Sequence, residues 1–123
     1  MVRSYSETSE GSILVFSSYS KEGYKKALEG IEQKTLVHGE KTLMVEFRLQ
    51  KGALLPQHSH PHEQIGYLVS GRIRMRIGEE SRELSPGDSW CIPGNVQHGA
   101  EILEDAVAIE VFAPLRQDYL PQG

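Results

Sequence analysis

Four of the five histidines fall in two short segments, His58-Ser59-His60-Pro61-His62-Glu63-Gln64 and Pro93-Gly94-Asn95-Val96-Gln97-His98. Neutral imidazole is the commonest side-chain ligand of divalent transition metals. Residues i and i+2 of a strand project to one face, so His58 and His60 point together and can chelate one ion. Pro61 cannot donate to a sheet ladder and should end or bend that strand. Gln64, opening the next strand, can bring an amide oxygen beside the two rings. Glu63 is its rival, and Gln64 is preferred for its parity with His60. His98 arrives on a separate strand after the turn at Pro93-Gly94-Asn95. Three nitrogens and one oxygen, with one or two positions left for water or substrate, suit Zn, Ni, Fe, Mn or Co. His62 shares the parity of His58 and His60, but the break at Pro61 makes it a residue of the rim. His38, alone beside Gly39, reads as an ordinary surface histidine.

A second candidate lies near the C-terminus. Glu110 interrupts the apolar run Ala106 to Phe112. Strand parity puts Ala108, Glu110 and Phe112 on one face, suited to a pocket; the alternative is that Glu110 simply faces solvent on an edge strand. Val107, Ile109 and Val111 share the other face, suited to packing between layers or against a second subunit. A glutamate buried near a cation stays ionised and can act as a general base. Arg116, just past Pro114, can clamp a substrate carboxylate through two hydrogen bonds or pair with Asp118.

These residues need a β-framework to position them. Leu43, Val45, Phe47 and Leu49 alternate with Thr42, Met44, Glu46 and Arg48. Ile65–Ser70 forms another strand ending at Gly71, and Ile73–Ile77 follows, with a hairpin turn at Gly78-Glu79-Glu80. Arg72, Arg74 and Arg76 alternate with Ile73, Met75 and Ile77 as the outer face of a half-buried strand. Ser85-Pro86-Gly87-Asp88 is a turn. Ser89–Ile92 and Ala106–Phe112 complete an all-β sandwich or barrel. Upstream, residues 1–11 read as an arm and Ile13–Phe16 as an edge strand. Lys21–Leu28, with Tyr24, Ala27 and Leu28 at helical spacing, reads as one short helix ended by Gly30. The expected division is an arm with edge strand and helix over 1–30 and a barrel over 31–123.

The 123 residues suggest one domain. A net charge of −4 without a long basic run leaves no provision for nucleic acid. No apolar stretch approaches the roughly 20 residues needed to span a bilayer, and the N-terminus lacks the apolar core of a signal peptide. The single cysteine, Cys91, excludes an internal disulfide. Between Trp90 and Ile92 it reads as a buried, inert thiol. The expected setting is the cytoplasm.

Gly52, five residues, His58-Ser59-His60, three residues, Gln64, six residues and Gly71 resemble the first cupin motif, with Gln64 where most cupins carry glutamate. Gly87 through Pro93 to His98 resembles the second motif. It departs in carrying Gly94 where the motif's glycine falls one place later, at Asn95, and Ile102 where an asparagine often stands. The resemblance implies a double-stranded β-helix, the jelly-roll barrel of cupins, with a metal inside its wide end. The amide of Gln64 leaves the site one charge more positive than a carboxylate would. That favours an anionic or hydroxyl-bearing substrate and weakens the case for an oxygen-activating iron site. The segment His58–Tyr67 and the tail Val111–Leu120 resemble the KdgF-type cupins of pectin and alginate breakdown, which convert 4,5-unsaturated uronates to linear keto sugars. That resemblance implies His58, His60, Gln64 and His98 as metal ligands and Glu110, Phe112 and Arg116 as the residues serving the chemistry. Glu110 stands where the family typically has aspartate. The expected activity is metal-dependent and non-redox, with a cupin dioxygenase or a non-catalytic ligand-binding cupin as alternatives. The expected partners are an anionic small molecule and a second copy of the chain in a homodimer.

Overall fold

The computed structural model describes residues 15–120. Eight antiparallel strands account for most of them: β1 Lys25–Leu28, β2 Ile31–His38, β3 Leu43–Leu49, β4 Leu54–His58, β5 Glu63–Ile77, β6 Glu80–Leu84, β7 Ser89–Ile92 and β8 His98–Ala113. One 3₁₀ turn, Gln117–Tyr119, follows. The expected helix over Lys21–Leu28 is absent. Lys25 and Lys26 pair with Gln33 and Glu32 instead, because two exposed lysines beside an open sheet edge gain ladder hydrogen bonds that a three-residue apolar stripe cannot match. Of the expected Ile13–Phe16 edge strand, Ile13 and Leu14 lie outside the described residues, as does the 1–11 arm; Val15 and Phe16 are not in a strand.

The two long strands organise the rest. β5 pairs with β8 along nearly its whole length, and each changes its other partner halfway. The first half of β5 borders β7 and its second half β6; the first half of β8 borders β4 and its second half β3. The crossover point is a bend. Register shifts cluster between Leu68 and Ile73, where two separate strands were expected, and Gly71 takes φ 84°. Asp105 and Ala106 pass so close that any Cβ at Gly71 would meet their backbone. The pair therefore folds in two at Gly71, giving two facing sheets, a jelly-roll double-stranded β-helix. His98 and Phe112 lie at equal distances along β8 on either side of Asp105, so the fold carries both to the same open end.

Inward alternation fills the space between the sheets. Leu68, Ile73, Met75, Leu84, Trp90, Ile92, Ile102, Ala106 and Ala108 form one core, and Leu43, Val45 and Phe112 a second, capped by Leu115, Tyr119 and Leu120 from the tail. The arginine stripe faces outward as expected: Arg72 pairs with Glu83 and Arg74 with Glu101, both at 3.0 Å. Cys91 corrects the sequence expectation. It is exposed, because β7 alternates outward Ser89 and Cys91 with inward Trp90 and Ile92.

The bend separates two glycines that share a positive φ. Gly71→Ala should cost about 2–4 kcal/mol, from backbone strain and overpacking together. Gly87→Ala, at φ 97° with open space around it, should cost only about 1–2 kcal/mol. Urea unfolding of both variants checks the ordering.

Candidate metal centre

Four elements converge at the open end of the barrel. β4 ends at His58, which pairs directly with His98 at the start of β8. His60 lies past the strand end, so strand parity is not what aims it. The loop is pinned instead by the Asn95 amide donating to the His60 carbonyl at 2.7 Å. Asn95 takes φ 67°. Asparagine tolerates this left-handed conformation, and so fills the place of the glycine expected there. Gln64 enters from the start of β5 opposite Phe112.

One nitrogen from each of His58, His60 and His98 lies within 4.8 Å of the other two. Each ring is held from behind. Nδ1 of His58 meets the Pro56 carbonyl at 3.0 Å, Nδ1 of His60 the His62 carbonyl at 2.9 Å, and Nδ1 of His98 the Val96 carbonyl at 2.9 Å. A carbonyl only accepts, so in each neutral ring Nδ1 carries the proton and Nε2 keeps a lone pair. Gln64 is 5% exposed. Its Nε2 donates to Glu110 Oε2 at 2.5 Å, which leaves Oε1 free to coordinate. Among the described residues, the buried side-chain atoms without a hydrogen-bond partner are His60 Nε2, His62 Nδ1, Gln64 Oε1 and Arg72 Nε, and two of them, His60 Nε2 and Gln64 Oε1, belong to the candidate ligand set. Buried unpaired acceptors are costly unless something occupies them, and two imidazoles, a third at 4.2–4.9 Å between ring centroids, and an amide oxygen are a donor set that fits a divalent ion. Glu63, the rival ligand, is exposed on the opposite side of β5. His62 supplies its carbonyl to His60, and its own ring stands 5.7 Å from the His60 ring, at the rim. His38 lies outside the cluster, its Nδ1 near the Gly39 carbonyl.

The same lumen, about 80 Å³ in volume, is lined by Trp90, Ala108, Glu110, Phe112, Arg116 and Tyr119 as well as the four candidate ligands. Glu110 is half-buried and lines the lumen. It accepts Trp90 Nε1–H at 2.9 Å on the oxygen that accepts Gln64. Burial pushes its carboxyl up from the usual range, against the pull of Trp90, Gln64 and Arg116. The sequence-based expectation of an ionised base therefore needs a cation beside it, which would draw the value back down. Phe112 packs edge-on to His60 and Tyr119, at 6.0 and 5.3 Å between centroids. Arg116 makes the Asp118 pair that was its alternative role: Nε donates to Oδ1 at 3.1 Å and Nη2 to Oδ2 at 2.7 Å. Its guanidinium also lies 4.1 Å over the Tyr119 ring, and Thr35 Oγ1 donates to the Tyr119 carbonyl, tying the tail to β2. The tail thus presents Arg116 to the lumen as an organised cation. Trp90 and Tyr119 carry no motif; the one sequence signal for Trp90 is the bare Gly66 inside a strand facing it.

A family model described as a cupin domain matches residues 45–113. The pectin degradation protein KdgF of Dickeya dadantii is 35% identical over 94 residues, covering 75% of this chain and 86% of that protein. The structure of KdgF from Halomonas sp. superposes with a TM-score of 0.81 at 34% identity, covering 85% of this chain and 97% of that one. An RmlC-like cupin from Shewanella frigidimarina gives 0.82 at 27% identity, covering 86% and 96%.

Burial lowers the pKa of both His60 and His98 below the ordinary imidazole value, with the Arg116 charge adding to the effect at His60. Below about pH 6.5 the unfolded chain therefore binds protons that the folded, metal-free chain refuses, and stability falls as pH drops. Glu110 has the opposite sign: its contribution is complete below about pH 4.3 and is lost as pH rises through its raised value. On acidification from neutral pH the metal-stripped parent should lose more Tm than His98→Gln, a difference that isolates the histidine contribution from the opposing one of Glu110. An identical decline in the variant would contradict the assignment.

Proposed function

This chain belongs to the cupin family, and we propose that it is a metal-dependent enzyme that rearranges a small carboxylated sugar of the unsaturated-uronate class without redox change. The observation that carries the reading is the approach of one nitrogen each of His58, His60 and His98 to within 4.8 Å, in a lumen also lined by Gln64 with its unpaired Oε1, by Glu110 and by Arg116. Similarity to KdgF proteins over most of the chain supports the substrate class. His58, His60, Gln64 and His98 would hold the ion. A bound Zn, Ni, Fe, Mn or Co ion would supply Lewis acidity to a hydroxyl or ring oxygen of the substrate.

The chain's own groups account for the remaining work. Arg116 attracts the substrate carboxylate through guanidinium N–H groups that Asp118 leaves unused, since five donors are available and two are engaged. Phe112 walls the lumen and keeps the sugar ring against the histidines. For a 4,5-unsaturated uronate the ring C1–O bond breaks as the C1 hydroxyl loses its proton, giving an aldehyde and a C5 enol. The enol then loses its O–H proton while C4 gains one, giving the ketone. The sum is an isomerisation with no electron acceptor. Glu110 moves the proton: Oε2 is engaged by Trp90 and Gln64, and Oε1 retains capacity for substrate. Gln64 in place of a carboxylate weighs against oxygen-activating iron chemistry. A cytoplasmic setting belongs to the same reading; among the described residues no helix is long and apolar enough to cross a membrane.

The test is incubation of metal-loaded protein with unsaturated galacturonate, following loss of alkene absorbance. Turnover is expected in the parent, with a fall of roughly 10²–10⁴-fold in Glu110→Gln while the metal stays bound, because a glutamine oxygen can still accept from Trp90 and Gln64. No acceleration by the parent over buffer removes this substrate.

We also propose a homodimer through the outer face of β5, β7 and β8. Ile65 and Tyr67 are each 51% exposed beside Ile109 and Val111. Light scattering at micromolar concentration should give twice the chain mass for the parent and the chain mass for Ile109→Asp. A monomeric parent would contradict the proposal.

A further inference from the structure

Trp90, Gly66 and Glu110 occupy one cross-strand row. Gly66 on β5 pairs with Trp90 on β7 to one side and with Glu110 on β8 to the other. Side chains in such a row stand side by side on one face, and a residue in the middle normally separates its two neighbours. Here the middle position has no side chain. A Cβ at Gly66 would collide with the indole atoms Cε2, Cζ2 and Nε1, so the indole lies across the glycine itself. Only that placement lets Nε1–H reach Glu110 Oε2, at 2.9 Å. The same oxygen accepts Gln64 Nε2 at 2.5 Å, and the far end of that amide is the buried, unpartnered Oε1.

An amide can turn over and exchange its oxygen for its nitrogen at little cost unless its partners differ in kind. Glu110 Oε2 already accepts the Trp90 N–H and so presents an acceptor to the amide, which selects the orientation with nitrogen toward Glu110 and oxygen away from it. Glu110 can turn as well, and the Trp90 N–H is the donor that fixes it. We infer that Trp90, seated on Gly66, is a positioning residue that holds Glu110 and through it orients the Gln64 amide oxygen toward the ion, granted the four-ligand metal reading proposed above. The row explains why a bare glycine stands inside a strand and why the one tryptophan of the chain faces a carboxylate rather than pure hydrocarbon. Outer partners of this kind tune metal sites by roughly 10–100-fold in affinity.

Trp90→Phe keeps an aromatic ring and removes only the donor and part of the volume. Cobalt titration of metal-stripped protein should show affinity reduced roughly tenfold, with the visible bands of bound cobalt shifted toward those of Gln64→Ala. An indole that merely packs would lower the unfolding temperature and leave those bands where they are in the parent; unchanged affinity and bands overturn the inference. The parent itself gives an independent readout, needed if the variant fails to fold. Its sole tryptophan yields a single indole N–H resonance in a ¹⁵N-labelled sample. That resonance should move in Glu110→Gln, where the acceptor of the indole N–H changes from a carboxyl to an amide oxygen, and should move again on zinc addition to the parent. A resonance indifferent to both overturns the inference. A parent that takes up no cobalt removes the metal reading and this inference together, whereas a parent that binds cobalt while Trp90→Phe matches it removes this inference alone.

Discussion

A carbonyl oxygen can accept a hydrogen bond and cannot give one. At His58, His60 and His98 that asymmetry is used three times: Pro56, His62 and Val96 each present a carbonyl to Nδ1, and each ring is committed to the tautomer with its lone pair on Nε2. The three carbonyls lie two residues from their histidines, so local backbone geometry, rather than distant packing, sets the tautomers. Gln64 is committed in the same manner by a longer chain of partners running back to Trp90. The result is three histidine nitrogens gathered within 4.8 Å of one another beside the unpartnered Gln64 Oε1, and burial favours the neutral form of His60 and His98. Such a cluster is unfavourable as a purely protein arrangement and favourable around a cation.

The barrel exists, in this respect, to bring distant parts of the chain to one end. Folding the β5–β8 pair at Gly71 is the single geometric event that does so. It carries the start of β8, with His98, toward the end of β8, with Glu110 and Phe112, and β4 adds His58 alongside. The tail then closes the opening through Tyr119 and the Arg116–Asp118 pair. The lumen combines acceptors that want positive charge with one guanidinium that wants negative charge, a combination suited to an anionic, oxygen-rich ligand.

Much of this was legible in the sequence, for identifiable reasons. Histidine spacing and a period of two survive translation into structure because a ligand set and a half-buried strand impose them directly. Gly71 was visible as a strand end, but not as a bend within one continuous strand; register shifts depend on the partner strand and leave no local mark. The Lys21–Leu28 stretch misled because three residues at helical spacing are weak evidence beside an unpaired sheet edge. Cys91 misled because apolar neighbours on both sides were given more weight than the alternation that turns Trp90 and Ile92 inward. Arg116 had two readings by spacing, and only the folded tail shows its pairing with Asp118. The Trp90–Glu110–Gln64 chain joins three strands through a missing side chain, and no one-dimensional pattern encodes that.

In the proposed centre, three imidazole nitrogens and one amide oxygen surround a single cation. X-ray absorption at the zinc K-edge, on protein loaded with one equivalent of zinc, reads that shell directly. The expected result is one tightly held ion per chain with nitrogen and oxygen neighbours at about 2.0–2.1 Å and the multiple-scattering pattern of three imidazoles, reduced to two in His98→Ala. A chain that retains no zinc, or a shell without imidazole scattering, would contradict it.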